Sequence, residues 1–371
     1  METEDLSQPQ RHPGTRKRRH KRDAEIVLIC NPRAGGRWKE LAGILDAEEA
    51  QQVRRIVTDS VEDIALALSA LGREAKLICI YGGDGTIQRV LDRLSPSKRE
   101  EVHLALLGGG TMNVTSRWCG FSSSPARNFR YVVRAYRSGD LLLKEVPILE
   151  VDTGSTFNRG FTFGMGPVVR LLDAWERGPK GKLSAISLAA KAVSAAWIKR
   201  PSAIEQLLRN MEAEVELDGE RLPSDRFAAV FANVTGQINP GVEPFVGQRE
   251  RDRFFCAAYS VGARELTLVL PLLLRGWLSV DPVDVSSWLK AIWPGESGQD
   301  TSDDNDSRYL NKTASSLIIR SHEPIYTLDG EILEARNHEI SVHLGPMLKL
   351  AVGPARILRT AAEAVKARSP V

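Results

Sequence analysis

Three short apolar runs in the first 113 residues each give way to a glycine-rich segment. Glu25 to Cys30 (EIVLIC) leads into Asn31-Pro32-Arg33-Ala34-Gly35-Gly36, and Lys76 to Ile80 (KLICI) leads into Gly82-Gly83-Asp84-Gly85-Thr86. His103 to Leu107 (HLALL) leads into Gly108-Gly109-Gly110-Thr111-Met112-Asn113. Apolar runs of this length suit strands buried on both faces. Val53 to Val57 reads as a further strand. Helices are expected between them at Trp38 to Asp46, Val61 to Leu71 and Thr86 to Leu94; Ile64, Leu68 and Leu71 fall on one side of the second. Alternating strands and helices imply a doubly wound, mainly parallel sheet, whose ligands sit beyond the carboxyl ends of the strands. The glycines lie at those ends.

Glycine lets the backbone approach a polyphosphate closely and turn its N–H groups toward the oxygens, and the helix that follows adds its positive end. One such loop carries little weight; three on one sheet edge carry much. The GxxxxGK[ST] loop is absent, protein-kinase signatures are missing, and Gly164-Met165-Gly166 is too short for a dinucleotide fingerprint. A tight turn capped by Asp84 would also account for GGDGT, but a turn needs one glycine rather than three.

At 371 residues the chain exceeds what one hydrophobic core usually serves, so about two domains are expected. Apolar residues at 42% and charged residues at 26% exclude a disordered chain, a collagen-like or coiled-coil rod and a disulfide-dense module. The first domain is placed at 24–140 and closes with a helix over Pro125 to Ser138. Beyond it the strands have no interleaved helices: Leu141 to Asp152, Phe157 to Phe163, Ala213 to Leu217, Phe227 to Asn233, Phe254 to Tyr259, Ser316 to Ser321, Glu331 to Arg336, Glu339 to Leu344 and Leu348 to Val352. This predicts an antiparallel second domain over 141–353, a sandwich or flattened barrel. Helical insertions are expected around Leu183 to Ile198 and Leu266 to Leu278, a flexible acidic loop over 294–308 and a C-terminal helix over 354–371. The aromatic helices near Trp197 and Trp277 read as core packing before membrane contact. No internal repeat is visible.

Net charge is +3, but residues 1 to 22 hold seven Arg/Lys against three acids, a segment charge of +4 that leaves the rest at −1. A nearly neutral body argues against nucleic-acid binding. The basic stretch 1–23 reads as a solvated, disordered leader. No apolar run reaches transmembrane length; Leu266 to Leu274 has half of it, and no signal peptide is apparent. Cys30, Cys79, Cys119 and Cys256 lie far apart, as expected of reduced thiols in a cytoplasmic protein. His338 and His343 alternate along a strand onto opposite faces, which discards zinc.

The run GGDGT, with NPRAGG before it and GGGTMN after it, resembles the catalytic domain of the diacylglycerol kinase superfamily, which includes sphingosine and ceramide kinases and bacterial lipid kinases. The likeness continues at Phe163 to Val169 (FGMGPVV), Leu328-Asp329-Gly330-Glu331 and Gly345 to Leu350 (GPMLKL), and covers nearly all of residues 24 to 353. It implies phosphorylation of a lipid hydroxyl by ATP, with Mg2+, in a cleft between an α/β domain and a β-sandwich, where domain closure matters. By similarity, Gly82, Gly83, Asp84, Gly85, Thr86, Ile87 and Gln88 would cradle the phosphates. Thr58, Gly110 and Thr111 would contact ATP, with Asn31 and Asn113 nearby. Asp84 would hold the catalytic magnesium and Glu331 would be the general base, with Asp329 beside it. Read locally, Asp329-Gly330 is a β-turn dipeptide, and a turn can still present a carboxylate.

Two departures stand out. Many relatives have an Asp-Gly-x-Leu segment that helps bind a structural magnesium ion. Here the stretch is Arg251-Asp252-Arg253-Phe254-Phe255, so only Asp252 remains as a ligand candidate. Val114 stands where several relatives carry aspartate. An NAD-kinase-like phosphotransferase shares the GGDG loop, and a non-catalytic nucleotide or lipid sensor fits the altered Asp252 segment. The lipid at a membrane surface, with the protein peripherally attached, is the expected partner. Its identity is not legible in one chain, and the oligomeric state stays open, a homodimer included.

Overall fold

Four strands open the computed structural model: β1 (Ile26–Cys30), β2 (Arg54–Val57), β3 (Leu77–Tyr81) and β4 (His103–Leu106). Residues 25–34, 36–45, 52–110, 113–167, 169–170, 173, 207–238, 245, 249–262, 265 and 308–356 are described. The basic leader, the two helical insertions, Thr111 and most of both the acidic loop and the C-terminal helix lie outside them.

All five positions of β1 and of β3 are buried, the consequence of continuous apolar runs covered on both faces. β1 pairs in parallel with β2 and β3, and β3 with β4. Helices α1 (Trp38–Ala42), α2 (Val61–Ser69), α3 (Asp84–Arg93), α4 (Pro96–Glu101), α5 (Val114–Trp118) and α6 (Pro125–Ser138) connect them and pack on the sheet. Ser60 and Asp63 form a reciprocal capping box at the start of α2. In α6, Pro125 occupies the first turn, Ser124 caps the Arg127 N–H, and Gly139 ends the helix at φ 83. α4 and α5, six and five residues long, are too short to show a periodic pattern.

The remaining strands are β5 (Leu143–Asp152), β6 (Phe157–Gly160), β7 (Thr162–Met165), β8 (Met211–Leu217), β9 (Glu220–Arg221), β10 (Arg226–Phe227), β11 (Ala229–Asn233), β12 (Phe254–Tyr259), β13 (Tyr309–Ala314), β14 (Ser316–Ser321), β15 (Ile325–Leu328), β16 (Glu331–Glu334) and β17 (Glu339–Ala351). The N-terminal part is thus a mainly parallel α/β sheet and the C-terminal part antiparallel. One sheet runs β10-β8-β14-β17-β4-β3-β1-β2; a second, six-stranded, runs β13-β12-β11-β7-β15-β16.

Three sequence expectations need correction. The expected strand Phe157 to Phe163 is two: β6 pairs with β5 in the larger sheet and β7 with β11 and β15 in the smaller, the chain crossing between them at Phe161. Phe227 to Asn233 divides likewise, between β10 and β11. Conversely, the strands expected at Glu339 to Leu344 and Leu348 to Val352 are one thirteen-residue strand. Its pairing with β5 shifts between Leu344 and Met347, a bulge at Gly345-Pro346 where proline has no N–H to donate.

β17 is antiparallel to β5 and β14 and parallel to β4, so it continues the N-terminal sheet into the C-terminal part. The main core follows it, from Ile26 and Leu77 through Val146 and Phe163 to Leu317 and Leu348. The four cysteines are free and buried. Among the described residues, no helix is long and apolar enough to cross a membrane.

Candidate active site

The loops that follow β1, β3 and β4 touch one another. Asn31 donates its N–H to the Tyr81 carbonyl at 2.9 Å and its Nδ2 to Thr86 Oγ1 at 3.3 Å, which ties the first loop to the second. The Tyr81 hydroxyl donates back to the Ala34 carbonyl at 3.1 Å. The second and third loops meet backbone to backbone: Gly109 donates its N–H to the Gly82 carbonyl at 2.7 Å, and a Cβ on Gly110 would lie 2.7 Å from Gly83 Cα. Only glycine permits that approach. Asn113, left-handed at φ 49, closes the third loop; Oδ1 accepts the Gly110 N–H at 2.7 Å and Nδ2 donates to the Gly110 carbonyl at 2.6 Å. α3 starts at Asp84, directly at this junction, with its first turn directed at the loops.

The C-terminal part delivers a second carboxylate to the same place. β15 and β16 form a hairpin in which Leu328 pairs with Glu331, and Asp329 and Gly330, at φ 53 and 87, make the two-residue turn. Glu331, the residue after the turn, lays its carboxylate over α3, where a Cβ on Gly85 would sit 2.6 Å from its carboxyl carbon. Oδ1 of Asp84 is buried without a hydrogen-bond partner. Burial, reinforced by the Glu331 charge, pushes the Asp84 carboxyl up to about 6; the Asn113 and Val114 amides and Arg117 pull the other way.

Asp329 is spent on the backbone. Its Oδ1 accepts the Phe161 and Thr162 N–H groups at 2.9 and 2.8 Å, latching the corner where the chain leaves β6 for β7. Part of the residue remains accessible, but its carboxyl group is enclosed; burial raises it to about 7, against the Phe161 amide and with the Asp84 charge.

Residues 25–141 match the sequence model of a family described as Diacylglycerol kinase catalytic domain. This segment resembles the diacylglycerol kinase catalytic domain. A solved diacylglycerol kinase from Bacillus anthracis str. Sterne shares the fold at 18% identity and a TM-score of 0.56, covering 90% of this chain and 98% of that one. A candidate diacylglycerol kinase from the same strain aligns at 17% identity and a TM-score of 0.58, covering 90% and 97%. No curated protein matches the chain.

Of the residues singled out from sequence, the segment 25–141 brings together Asn31, Gly82, Gly83, Asp84, Gly85, Thr86, Gly110 and Asn113, and the hairpin adds Glu331. Three others lie deeper. Thr58 is buried at the end of β2 with its hydroxyl on the Cys30 carbonyl at 3.3 Å, and Ile87 and Gln88 are buried in α3. Asp252 is exposed on the turn before β12, and the arginines beside it engage Glu145 and Asp218. Among the described residues, no three His, Cys, Asp or Glu side chains gather as a metal-binding group. Asp84 still suits a divalent cation, since Mg2+ is commonly held by one or two carboxylates together with substrate phosphates, and Asp84 has an unpartnered oxygen.

Outside the glycine loops, sequence reading missed a half-buried ionic cluster behind α3. Asp92 Oδ1 accepts the Arg159 N–H at 2.6 Å, and Arg159 Nη1 donates to the Asp92 carbonyl at 3.1 Å. Arg159 Nε also reaches Glu150 at 2.8 Å, and Arg99 lies 4.0 Å from the same carboxylate. Burial raises Asp92 to about 6 against the Arg159 amide. α3 is therefore gripped at Asp92 by β6, close to the corner that Asp329 latches. The available signal was a carboxylate and a guanidinium each set among apolar neighbours (Val90 and Leu91; Phe157 and Phe161).

Proposed function

We propose that the chain is a lipid kinase that transfers the γ-phosphate of ATP to a lipid hydroxyl, such as that of diacylglycerol or a sphingoid base, presented at a membrane surface. The observation that carries this reading is the Glu331 carboxylate lying over Gly85 beside Asp84, where an acid from one half of the chain meets the glycine loops of the other. The amides around Gly82, Gly83, Gly110 and Asn113 bind the phosphates, and Asn31 and Thr86 orient the loop. Asp84 would hold Mg2+ together with the phosphates, and the ion when bound would neutralise charge on the transferred group. Glu331 takes the proton from the acceptor hydroxyl as its oxygen bonds to the γ-phosphorus and the bond to the β–γ bridging oxygen breaks, releasing ADP. Asp329 is a positioning residue, holding the corner and the hairpin that carry Glu331.

Radiolabelled ATP incubated with a lipid extract is expected to yield a labelled phospholipid, and Glu331→Gln to abolish it. Equal labelling by the Gln variant refutes the base. A parallel arm with NAD as acceptor separates an NAD kinase, and calorimetric ATP binding without turnover on any acceptor would establish a sensor.

A further inference from the structure

Three main-chain carbonyls converge on a single nitrogen at the turn before β12. Nη1 of Arg249 lies 3.0, 3.3 and 2.8 Å from the carbonyl oxygens of Glu250, Arg251 and Arg253. Beside it, Arg253 Nη2 pairs with the Asp218 carboxylate and donates to the Thr313 carbonyl at 2.9 Å, while Nε donates to Thr313 Oγ1 at 3.3 Å. Asp218 opens the Asp-Gly turn between β8 and β9 and accepts the Ser315 and Ser316 N–H groups at 2.7 and 2.9 Å and the Ser315 hydroxyl at 2.7 Å. Arg249 thus gathers the carbonyls of its own turn before β12, and Arg253 with Asp218 ties that turn to the ones between β8 and β9 and between β13 and β14.

Converging backbone carbonyls and an aspartate are ligands of hard divalent cations. Relatives with an Asp-Gly-x-Leu segment hold magnesium with it, but the residues here do not fit one. The one carboxylate of this turn in the corresponding position, Asp252, is exposed, and the carbonyls already surround a nitrogen at hydrogen-bond distance rather than the ~2.1 Å of a magnesium ligand. We infer that Arg249 and Arg253 are built-in cations that take the place of a structural metal, so that this junction is held together without a divalent ion. A guanidinium stays charged and remains covalently attached. The stability of the C-terminal part is then uncoupled from metal supply, whatever the acceptor of the kinase proves to be.

The test is the melting temperature of the full chain carrying Asp84→Asn, which removes the carboxylate proposed to hold the catalytic cation. It is followed by circular dichroism in EDTA and in excess MgCl2 or MnCl2. The expected result is the same melting temperature in chelator and in metal. Arg249→Ala in that background is expected to melt several degrees lower, with Arg249→Lys between, because lysine keeps the charge but loses the planar fork. A fall in melting temperature on chelation, or an Arg249→Ala chain that melts with its parent, overturns the proposal. If Arg249→Ala fails to fold, electron paramagnetic resonance of Mn2+ added to the Asp84→Asn chain decides. No tightly bound Mn2+ is expected, and bound Mn2+ that is lost on Asp252→Asn would overturn the inference.

Discussion

Gly85 and Glu331 occupy neighbouring space, such that a β-carbon on Gly85 would stand 2.6 Å from the Glu331 carboxyl carbon and 3.0 Å from its Oε2. The glycine leaves room for an acid 246 positions later in the chain. Gly85→Ala is therefore expected to displace the flexible end of Glu331 while leaving α3 intact. Kinase turnover should fall by about 10²–10⁴, the usual contribution of a positioned base. Steady-state kinetics alongside thermal melting check this; a variant with normal turnover would show that Glu331 is not needed where it lies.

Glu331→Gln keeps the shape and removes the base. Turnover should drop by about 10²–10⁴ while ATP still binds, because the nucleotide loops are untouched. Calorimetry with ATP and kinetics on the same preparation separate the two quantities.

Acidification should weaken cation binding before it unfolds the protein. The Asp84 carboxyl is raised from its ordinary value to about 6, so protons compete with the cation as pH falls through 6, and activity is expected to decline there. Raising Mg2+ should move that decline to lower pH. The stability effect has the opposite sign: a raised carboxylate opposes folding once ionised, by up to ~3 kcal/mol for this shift at neutral pH, and the opposition fades as pH falls toward 4. Asp84→Asn should therefore be more stable than the parent near pH 7 and similar to it near pH 4, as urea titrations at the two pH values would show.

Asp92→Ala should loosen the joint between α3 and β6. It leaves the Arg159 N–H without its acceptor, while the Arg159 side chain keeps Glu150 and the Asp92 main-chain carbonyl, a loss of about 1–3 kcal/mol. Denaturant unfolding measures this. Asp92→Asn, which keeps an acceptor oxygen, should lose less.

Much of the N-terminal half was legible in the chain. The unbroken apolar runs of β1 and β3 and the one-sided spacing of Ile64 and Leu68 in α2 act locally, and local signals survive in one-dimensional order. The switches of sheet at Phe161 and Ala228 were not legible, because a strand that changes partners keeps its alternating pattern. Gly345-Pro346 misled for the reverse reason: it reads as a break, whereas the fold absorbs it as a bulge. At the site, glycine spacing pointed to a phosphate-binding loop, while the roles expected of Asp84 and Glu331 came from the resemblance to the kinase family rather than from any local pattern. That Asp329 would face inward to the Phe161 and Thr162 amides depends on a contact 167 residues away in sequence, which no local pattern encodes.

Because β17 hydrogen-bonds to β4, the edge of the N-terminal sheet stays unprotected until residues 339–351 have emerged from the ribosome. A fragment cut after residue 141 would present that bare edge to other chains and is expected to self-associate. During synthesis the early strands must wait for the late one, an arrangement that favours slow, chaperone-assisted maturation over domain-by-domain assembly.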